Sequence, residues 1–420
     1  MPENNETIEL GGAQAWWIWI LAVTFVIFLF SIQTGYAVTS SSIQGELTLT
    51  ATQIATIAAT YTWVMAIFQF YGGALLDQLG VRKVLPTSIA LVTLGVFMFA
   101  NAETFHMLLV SQTILAIGSC TGFVGAGYIG GQWFGMARFS FMFGLVQVAS
   151  AAASAFSQNA IGFALSQMEW RELFNYVGMF GVVLFVVGAV YIRNPAPVAA
   201  VAANGVIDFL TRVTHSLINV AKSVHVWVAS LWGALTFGTL LSLGIVWGPK
   251  LLMVRGADEA TAVLGSSLIW LGLAAGSCIV PWWSDRLRQR KLPIILGSLV
   301  QLVCLVLLIY VADLGNTIDL MLFFIFGFAN SSHMLAFSTV ADTVEPHKIG
   351  TSAAIVNGIM FIFGGLLIAR PGIRIDRALD LGLEPGAMDL AQYAALPLVV
   401  AISLGLVLAL AMKETYPDNY

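Results

Sequence analysis

The stretch GGALLDQLGVRK, residues 72–83, decides the fold of this chain. Within it, Gly73 permits two helices to approach closely and Gly80 permits a tight turn. Between them Asp77 places a carboxylate at the end of an apolar segment, where an ionised group is costly unless it has a partner. That carboxylate can bind the positive N-terminus of another helix, or a basic side chain, in one conformation of the protein. We interpret the stretch as a conformational gate and not as a substrate site.

The composition of the chain indicates an integral membrane protein. Charged residues make up 10% of the 420 residues and hydrophobic residues 59%, whereas soluble domains carry about 25% charged residues. Crossing the hydrocarbon core takes about 20 apolar residues. Twelve windows of that kind are predicted to be membrane-spanning helices: 16–37, 52–74, 84–101, 107–133, 140–165, 172–192, 226–249, 259–282, 292–312, 318–341, 348–369 and 390–412.

One long gap divides these windows into six and six. Residues 194–225 open with a run of Pro, Ala and Gly that cannot continue a helix, which predicts a cytosolic linker. The linker separates an N-terminal bundle, 16–193, from a C-terminal bundle, 226–413. Short polar tails, 1–15 and 414–420, flank the two bundles.

The linker carries an apolar stripe. Phe209, Val213, Leu217, Val220 and Val224 recur every three or four residues, and the basic residues of the segment lie on other faces. This pattern suits a helix lying along the inner membrane surface, or an ordinary connector with helical character. Neither interpretation implies chemistry.

Basic residues set the orientation. If the N-terminus is cytosolic, six of the 18 lysines and arginines fall outside: Arg171, Lys250, Arg255, Arg370, Arg374 and Arg377. The other twelve lie inside, in agreement with the positive-inside rule. We expect both termini in the cytosol and the chain in the cytoplasmic (inner) membrane.

The gate stretch closely resembles the G-x-L-x-D-x-x-G-x-[RK]-[RK] signature of the major facilitator superfamily. The matching residues are Gly73, Leu75, Asp77, Gly80, Arg82 and Lys83. A second copy, PWWSDRLRQRK at 281–291, supplies Asp285 and Arg286 but has Pro281 in place of the first glycine. The resemblance implies an all-α integral membrane fold of twelve helices in two pseudo-symmetric six-helix bundles, which rock about a central cavity to give alternating access.

Two departures from that family's patterns narrow the function. Proton-coupled members often carry an arginine in the fourth helix, where this chain has Gln112. Drug/proton antiporters carry a glycine-proline signature in the fifth helix, where this chain has no proline. Drug efflux by proton exchange is therefore disfavoured.

The resemblance implies that helices one, four, seven and ten line the cavity, with help from two, five, eight and eleven. Polar residues at depth in those helices are the candidate substrate-binding residues: Gln33, Tyr36, Tyr61, Trp63, Tyr128, Gln147, Gln158, Lys250, Trp270, Asn330, His333 and Asn357. The alternatives stay open. Amides such as Gln158 and Asn357 also suit helix-to-helix hydrogen bonding, and Lys250 also suits snorkelling to the headgroups.

Charge inside the predicted spans favours an anionic solute. None of the 22 acidic residues lies near the middle of a predicted span, and Asp77, Asp285 and Asp342 mark cytosolic helix ends. A buried carboxylate relay and a counter-ion for a cationic drug are therefore not predicted. Near the outer ends, Lys250 and Arg370 can attract an anion or zwitterion, such as a carboxylate, an amino acid or a metal chelate.

His333 is the one histidine within a predicted span. Its ordinary pKa of about 6.5 makes it a candidate for proton coupling. Asn330 precedes it by three positions and would share its helical face.

These observations predict a secondary active transporter that takes up a small organic solute. We expect no enzyme activity, because no acid, base, nucleophile or metal ligands cluster in the sequence. We expect a monomer with no cofactor, no metal and no nucleic-acid partner, in contact with the lipid bilayer and a co-transported proton or ion. An exporter of amphipathic compounds is the alternative, and a non-transporting receptor on the same scaffold is a more distant one.

Overall fold

The computed structural model describes residues 11–49, 51–195, 206–311, 314–380 and 388–417. Every regular element in these ranges is a helix. The chain divides into two compact units. Unit 1 comprises Met1–Ile218 with Pro346–Ala354, and unit 2 comprises Asn219–Glu345 with Ile355–Tyr420.

Unit 1 is built from seven helices and most of an eighth. They are α1 (Ala13–Glu46), α2 (Ala51–Leu79), α3 (Val81–Ala100), α4 (Phe105–Ser119), α5 (Gly122–Phe134), α6 (Phe139–Leu165), α7 (Trp170–Tyr191) and α8 (Val206–Ala221). Gly80, at φ 74°, makes the tight turn between α2 and α3 that the sequence predicts for it.

Unit 2 continues the series. Its helices are α9 (Val224–Ser242), α10 (Gly248–Val254), α11 (Glu259–Leu287), α12 (Lys291–Tyr310), α13 (Asn316–Asn330), α14 (Leu335–Ala341), α15 (Ile349–Asp380) and α16 (Met388–Ala411). The first residues of α15, up to Ala354, belong to unit 1. A π turn, Leu243–Trp247, joins α9 to α10, and a 3-10 turn, Ser331–Met334, joins α13 to α14.

Eleven segments in the described part of the chain are long and apolar enough to cross a membrane. The prediction of an all-α membrane protein is therefore confirmed. The predicted span 52–74 lies in α2, a helix of 29 residues whose Thr, Tyr and Gln residues lower its hydropathy. Helix α15 runs on to Asp380, so it extends beyond residue 369, where the predicted span ends.

Three predicted spans are interrupted. The span 107–133 breaks between α4 and α5, the span 226–249 breaks at the π turn, and the span 318–341 breaks at the 3-10 turn. Kinks and breaks of this kind have local causes, such as a proline or an inserted side chain. In membrane proteins such breaks commonly lie beside ligand sites, because freed backbone groups become available there.

The linker contains α8, and its predicted apolar stripe is partly covered by protein. Val213 and Val220 are 1% and 3% exposed, whereas Val224 is 75% exposed. The side chain of Phe209 lies outside the described residues. Attachment of α8 to the membrane surface stays a prediction.

Each unit has one arginine that ties helix ends together at the side predicted to be outer. In unit 1, Arg171 pairs with Glu46 at 2.8 Å and donates to the carbonyls of Ala100 and Ala102. In unit 2, Arg255 pairs with Asp319 at 2.7 Å and donates to two carbonyls near the end of α12. These two basic residues are therefore occupied in holding helices together.

Candidate functional site

A cavity of about 200 Å³ lies inside unit 1, among α1, α2, α3, α4 and α7. Its lining combines polar and apolar groups: Ile32, Gln33, Tyr36, Ala58, Tyr61, Thr62, Val96, Phe99, Gln112, Leu115 and Phe174. Three of the predicted site residues, Gln33, Tyr36 and Tyr61, thus meet at one cavity.

The described residues that line this cavity are uncharged. Its polar groups are two amides, from Gln33 and Gln112, and hydroxyls, among them those of Tyr36 and Tyr61. The hydroxyl of Tyr36 donates to the carbonyl oxygen of Ile54 at 2.8 Å, which fixes the ring. Amides and phenols can donate and accept hydrogen bonds, so the cavity suits a hydroxyl-bearing solute.

The break between α4 and α5 lies beside a second buried amide. Gln69 is 1% exposed, and its Nε2 donates to the carbonyl oxygen of Cys120 at 2.7 Å. The hydroxyl of Thr121 donates to that of Ser88 at 2.7 Å. Sequence reasoning passed over Gln69, although it lies two helical turns after Tyr61 on the same face of α2.

In unit 2 the break in the seventh predicted span follows from Pro249. A proline has no N–H to donate and crowds the carbonyl four residues earlier. The helix responds with a wide turn, in which the N–H of Gly248 reaches the carbonyl of Leu243. The carbonyl of Gly244, left without its usual partner, accepts from Ser266 Oγ at 2.6 Å and from Trp270 Nε1 at 3.2 Å.

Pro371 lies inside α15 and lacks the N–H that would bond to the carbonyl of Leu367, so that carbonyl is left without a partner in the helix. The hydroxyl of Ser242 donates to that carbonyl at 3.0 Å. One residue further on, Nε1 of Trp247 donates to the carbonyl of Ile368 at 2.8 Å. Two side chains beside the break in the seventh span are therefore bonded to the backbone of α15.

Lys250 follows directly on this arrangement. Its Nζ lies 4.5 Å from the ring centroid of Trp247, within the range of a cation–π contact, and the residue is exposed. Trp270 is also a predicted site residue. Its indole N–H donates to the carbonyl of Gly244, which the break in the helix leaves unpaired.

Asn330 and His333 lie at the break in the tenth predicted span, and both are almost wholly buried. Asn330 Nδ2 donates to the carbonyl of Thr236 at 2.8 Å and to Oε1 of Gln301 at 2.7 Å. Nδ1–H of His333 donates to the carbonyl of Asn330 at 2.8 Å, and its ring stacks on Phe237 with centroids 4.4 Å apart. Gln301 was not a predicted site residue.

The remaining candidates are dispersed. Trp63 is 58% exposed, Tyr128 is buried in α5, and Gln147 donates to the hydroxyl of Ser150 at 3.2 Å. None of these three is among the described residues that line the cavity of unit 1. Asn357 is buried in α15, and the side chain of Gln158 lies outside the described residues.

In the first copy of the gate motif, Asp77 binds the beginning of α15. Its Oδ1 accepts from the N–H of Gly350 at 2.9 Å, and its Oδ2 accepts from the N–H and the hydroxyl of Thr351, both at 2.7 Å. The first turn of a helix presents unpaired N–H groups and a positive potential, so it suits a carboxylate. Gly73 permits the approach, because a Cβ there would lie 1.8 Å from the oxygen of Gly350.

The linker joins this contact through Ser216. The hydroxyl oxygens of Ser216 and Thr351 lie 3.3 Å apart. Because the proton of Thr351 is donated to Asp77, Ser216 is the donor in that pair. A short chain of hydrogen bonds therefore runs from α8 through Thr351 to Asp77. In the adjoining turn, the backbone N–H of Arg82 donates to Asn194 Oδ1 at 3.1 Å, and Lys83 is exposed.

The second copy has a different partner. Asp285 pairs with Arg290, which is 2% exposed and also pairs with Asp342 at 3.0 Å. Burial raises the pKa of the Asp342 carboxyl to about 6, against the opposing effect of Arg290. The guanidinium of Arg286 lies 5.6 Å from the ring centroid of Trp282.

The C-terminal segment closes this cluster. Glu414 accepts from the N–H groups of Arg290 and Lys291 at 2.8 and 3.0 Å, and so caps the N-terminus of α12. Burial would raise the pKa of the Glu414 carboxyl, but hydrogen bonds from these and two further backbone N–H groups lower it. The ring of Tyr416 lies 4.7 Å from the guanidinium of Arg290.

Comparison with known proteins gives a family match. The profile described as Major Facilitator Superfamily matches residues 20–369. Among relatives, the probable galactarate/D-glucarate transporter GarP of Escherichia coli K12 is 21% identical over 382 residues, covering 83% of this chain and 84% of the relative. The probable galactarate/D-glucarate transporter GudP of Bacillus subtilis is 23% identical over 375 residues, covering 80% and 81%.

Solved structures show the same fold. The proton:xylose symporter XylE bound to 6-bromo-6-deoxy-D-glucose superposes with a TM-score of 0.69, and a double-tryptophan variant of XylE with 0.74. Each is 14% identical to this chain and covers 96% of it and 97% of its own length.

Proposed function

The chain belongs to the major facilitator superfamily and is a secondary transporter of a small organic solute, and from that premise we propose that it takes up a polyhydroxylated organic anion. One observation carries the proposal, which is the distribution of charge among the described candidate residues. Hydroxyls and amides line the cavity of unit 1 without a carboxylate, and an exposed ammonium, Lys250, lies over Trp247 in unit 2.

A sugar acid matches both kinds of group. Its hydroxyls are bound by amides and phenols of the type found at Gln33, Tyr36 and Gln112, and its carboxylate is attracted by an ammonium group. The names of the relatives GarP and GudP, which describe galactarate and D-glucarate transport, support this substrate class. The cavity is smaller than the 300–1,000 Å³ range of drug-sized sites. A compact metabolite is therefore favoured over a large compound.

Alternating access gives the gate motif its role in this proposal. Asp77 holds the first turn of α15 in one conformation, and its hydrogen bonds break when the cytosolic side opens. The partners of Asp77 are neutral groups, so water can replace them at modest cost. The proposal keeps both termini in the cytosol, and the distribution of basic residues supports this orientation.

His333 is the candidate for proton coupling within the same proposal. Its Nδ1–H is already donated to the carbonyl of Asn330, so a transported proton would bind at Nε2. In support, the structural neighbour XylE is a proton symporter by its description. Sodium or a counter-substrate is the alternative driving species.

Export of amphipathic compounds is the second candidate function. It is favoured by the aromatic rings of Tyr36, Tyr61, Phe99 and Phe174 at the cavity of unit 1. Drug-resistance profiles of cells with and without the protein separate the two functions, because an exporter of this kind raises resistance and an uptake system for sugar acids does not.

Uptake into proteoliposomes tests the main proposal. Radiolabelled D-glucarate, galactarate, xylose and a neutral polyol are offered to vesicles with the wild-type protein, Lys250→Ala or Lys222→Ala. We expect saturable uptake of the acids, at least about fivefold weaker in Lys250→Ala and unchanged in Lys222→Ala, whose cation lies in the linker. Transport of neutral solutes alone, or of no acid in a wider panel, would contradict it.

A further inference from the structure

We propose that Trp247 is a positioning residue for Lys250 and thereby sets the preference of the transporter for anionic over neutral solutes. The positioning rests on geometry within unit 2, and its effect on selectivity rests on the function proposed above. The site is formed by the π turn, the first turn of α10 and the adjoining part of α15.

The indole of Trp247 is held at two places. Its Nε1 donates to the carbonyl of Ile368 at 2.8 Å. The part of the six-membered ring next to Nε1 lies against Gly372, where an added Cβ would come within 3.3 Å of the ring atom Cζ2. The hydrogen bond and the packing both join the same edge of the indole to α15, so the ring is held against that helix.

The backbone that carries Trp247 is fixed as well. The N–H of Gly248 is bonded to the carbonyl of Leu243, and the carbonyl of Gly244 is held by Ser266 and Trp270 of α11. A Cβ at position 248 would lie 2.4 Å from the Leu243 oxygen, so the turn has no space for a larger residue there. The π turn therefore presents Trp247 and the residues that follow it in a defined direction.

Lys250 lies three positions after Trp247, which places the two side chains on one helical face. A lysine side chain has four rotatable bonds and samples many directions when it is free. Here its Nζ lies 4.5 Å from the centroid of the ring, whose face attracts a cation. Among the described residues, no carboxylate is paired with this ammonium group.

Arg255 and Arg374, two other cations near the predicted outer side of unit 2, are each held by a hydrogen-bond acceptor. Arg255 forms an ion pair with Asp319 at 2.7 Å, and its side chain is almost wholly buried. Arg374 lies over the ring of Tyr393 at 3.8 Å and donates from Nε to the Tyr393 carbonyl at 2.7 Å. Lys250 combines an exposed charge with a fixed aromatic platform, and it is therefore suited to meet an incoming carboxylate.

The first test measures the lysine without any substrate. Purified protein is treated with an amine-acylating reagent, and modification of Lys250 is followed by mass spectrometry. Trp247→Leu removes the aromatic ring, whereas Trp247→Phe keeps a smaller aromatic ring and removes the indole N–H. We expect the acylation rate of Lys250 to rise about twofold to fivefold in Trp247→Leu and less in Trp247→Phe. Trp282→Leu, at the cation–Trp pair formed with Arg286, is the matched control and should leave the rate unchanged.

The second test measures selectivity. In Trp247→Phe we expect the KM for D-glucarate to rise about threefold while kcat stays within about twofold, and inhibition by neutral xylose to be unchanged. In the Lys250→Ala background the same substitution should add nothing, because both residues act through one ammonium group.

Two results would overturn the proposal. One is an unchanged acylation rate of Lys250 in both Trp247 variants, and the other is an equal KM effect with and without Lys250. If the wild-type protein neither binds nor transports a sugar acid, the proposed function fails, and the acylation rates still decide whether Trp247 positions Lys250.

Discussion

The two copies of the gate motif look alike in sequence and hold their carboxylates differently. Asp77 binds two backbone N–H groups and one hydroxyl at the start of α15. Asp285 binds the guanidinium of Arg290, which Asp342 also holds. Neutral donors can be exchanged for water, whereas removing one member of a buried ion pair strands a charge. The first copy therefore suits a contact that breaks, and the second suits a permanent one.

Separation along the chain agrees with this difference. Asp77 and Gly350 are 273 residues apart, whereas Asp285 and Arg290 are five residues apart. The first contact joins segments from opposite halves of the sequence, and the second stays within one half. We expect the first contact to report on the transport cycle and the second to report on stability.

The largest effect is expected from Arg290→Ala in the second copy. It leaves the carboxylates of Asp285 and Asp342 without their cation, at a cost of roughly 3–5 kcal/mol for a broken buried ion pair. Thermal denaturation of the purified protein should show a large loss of stability. Arg286→Ala, which removes a cation lying on an exposed tryptophan, is the control and should change little. Equal effects would remove the distinction between the two arginines.

Gly73→Ala should be the next most damaging change, and it acts on the first copy. The added Cβ would overlap the oxygen of Gly350 and the Cβ of Ala354, so α2 and α15 must separate. Overpacking of this kind costs roughly 1–3 kcal/mol. Thermal denaturation and uptake are the measurements. Gly162→Ala, where nothing lies within 4 Å of an added Cβ, is the matched control, and a similar loss there would contradict the prediction.

The substitutions Asp77→Asn and Asp285→Asn allow the two copies of the gate motif to be compared directly. Ala354 is fully buried beside Gly73, so a cysteine at 354 reports on the first contact. In a background with the three native cysteines replaced by alanine, Asp77→Asn should raise thiol labelling at 354 about threefold or more. The reason is that a charge at a helix N-terminus contributes roughly 0.3–2 kcal/mol. Asp285→Asn should leave that labelling unchanged, and a rise in both variants would show that the copies are coupled.

The smallest effect is expected from Ser216→Ala. It removes the hydroxyl that donates to Thr351, at a net cost of roughly 0.5–1.5 kcal/mol for one hydrogen bond. Labelling of a cysteine at 354 should then rise about twofold. Thr214→Ala, an exposed position on the same helix, is the control. If the two variants behave alike, the linker does not stabilise the contact made by Asp77.

The sequence predicted the type of partner for the gate carboxylate but not which copy would have which partner. A helix N-terminus and a basic residue were both open for Asp77. The structure shows the first arrangement for Asp77 and the second for Asp285. The choice depends on packing, since Gly73 allows the start of α15 to approach, and the second copy has Pro281 at the corresponding place.

At the candidate site, the sequence predicted polar residues deep within the membrane-spanning helices. It did not predict the residues that donate hydrogen bonds to backbone carbonyls beside the helix breaks. Gln33, Tyr36 and Tyr61 meet at a cavity, as polar residues on neighbouring helices can. Gln69 and Trp247 were missed, because their partners are backbone carbonyls and pairings with carbonyls leave no pattern in side-chain composition. For Trp247, Pro249 and Pro371 were the available signals, since each removes one backbone donor.

Asn330 and His333 show that a polar residue deep within a predicted span need not be free to bind a substrate. Both lie at mid-span, as predicted, and the structure shows them buried and bonded within unit 2. Their partners, Gln301 and Phe237, come from other helices and could not be assigned from one sequence. A substrate or proton role for either residue stays a prediction.

One measurement tests most directly the central claim. The claim is that the contact between Asp77 and the start of α15 breaks during transport, whereas the ion pairs of Arg290 with Asp285 and Asp342 stay intact. Cysteines are placed singly at Ala354 and at Ser284, which is fully buried next to Asp285, in the background without native cysteines. Labelling rates are compared with and without saturating D-glucarate during transport. We predict a severalfold change at 354 and none at 284. An unchanged rate at 354, or an equal change at both positions, would contradict the account.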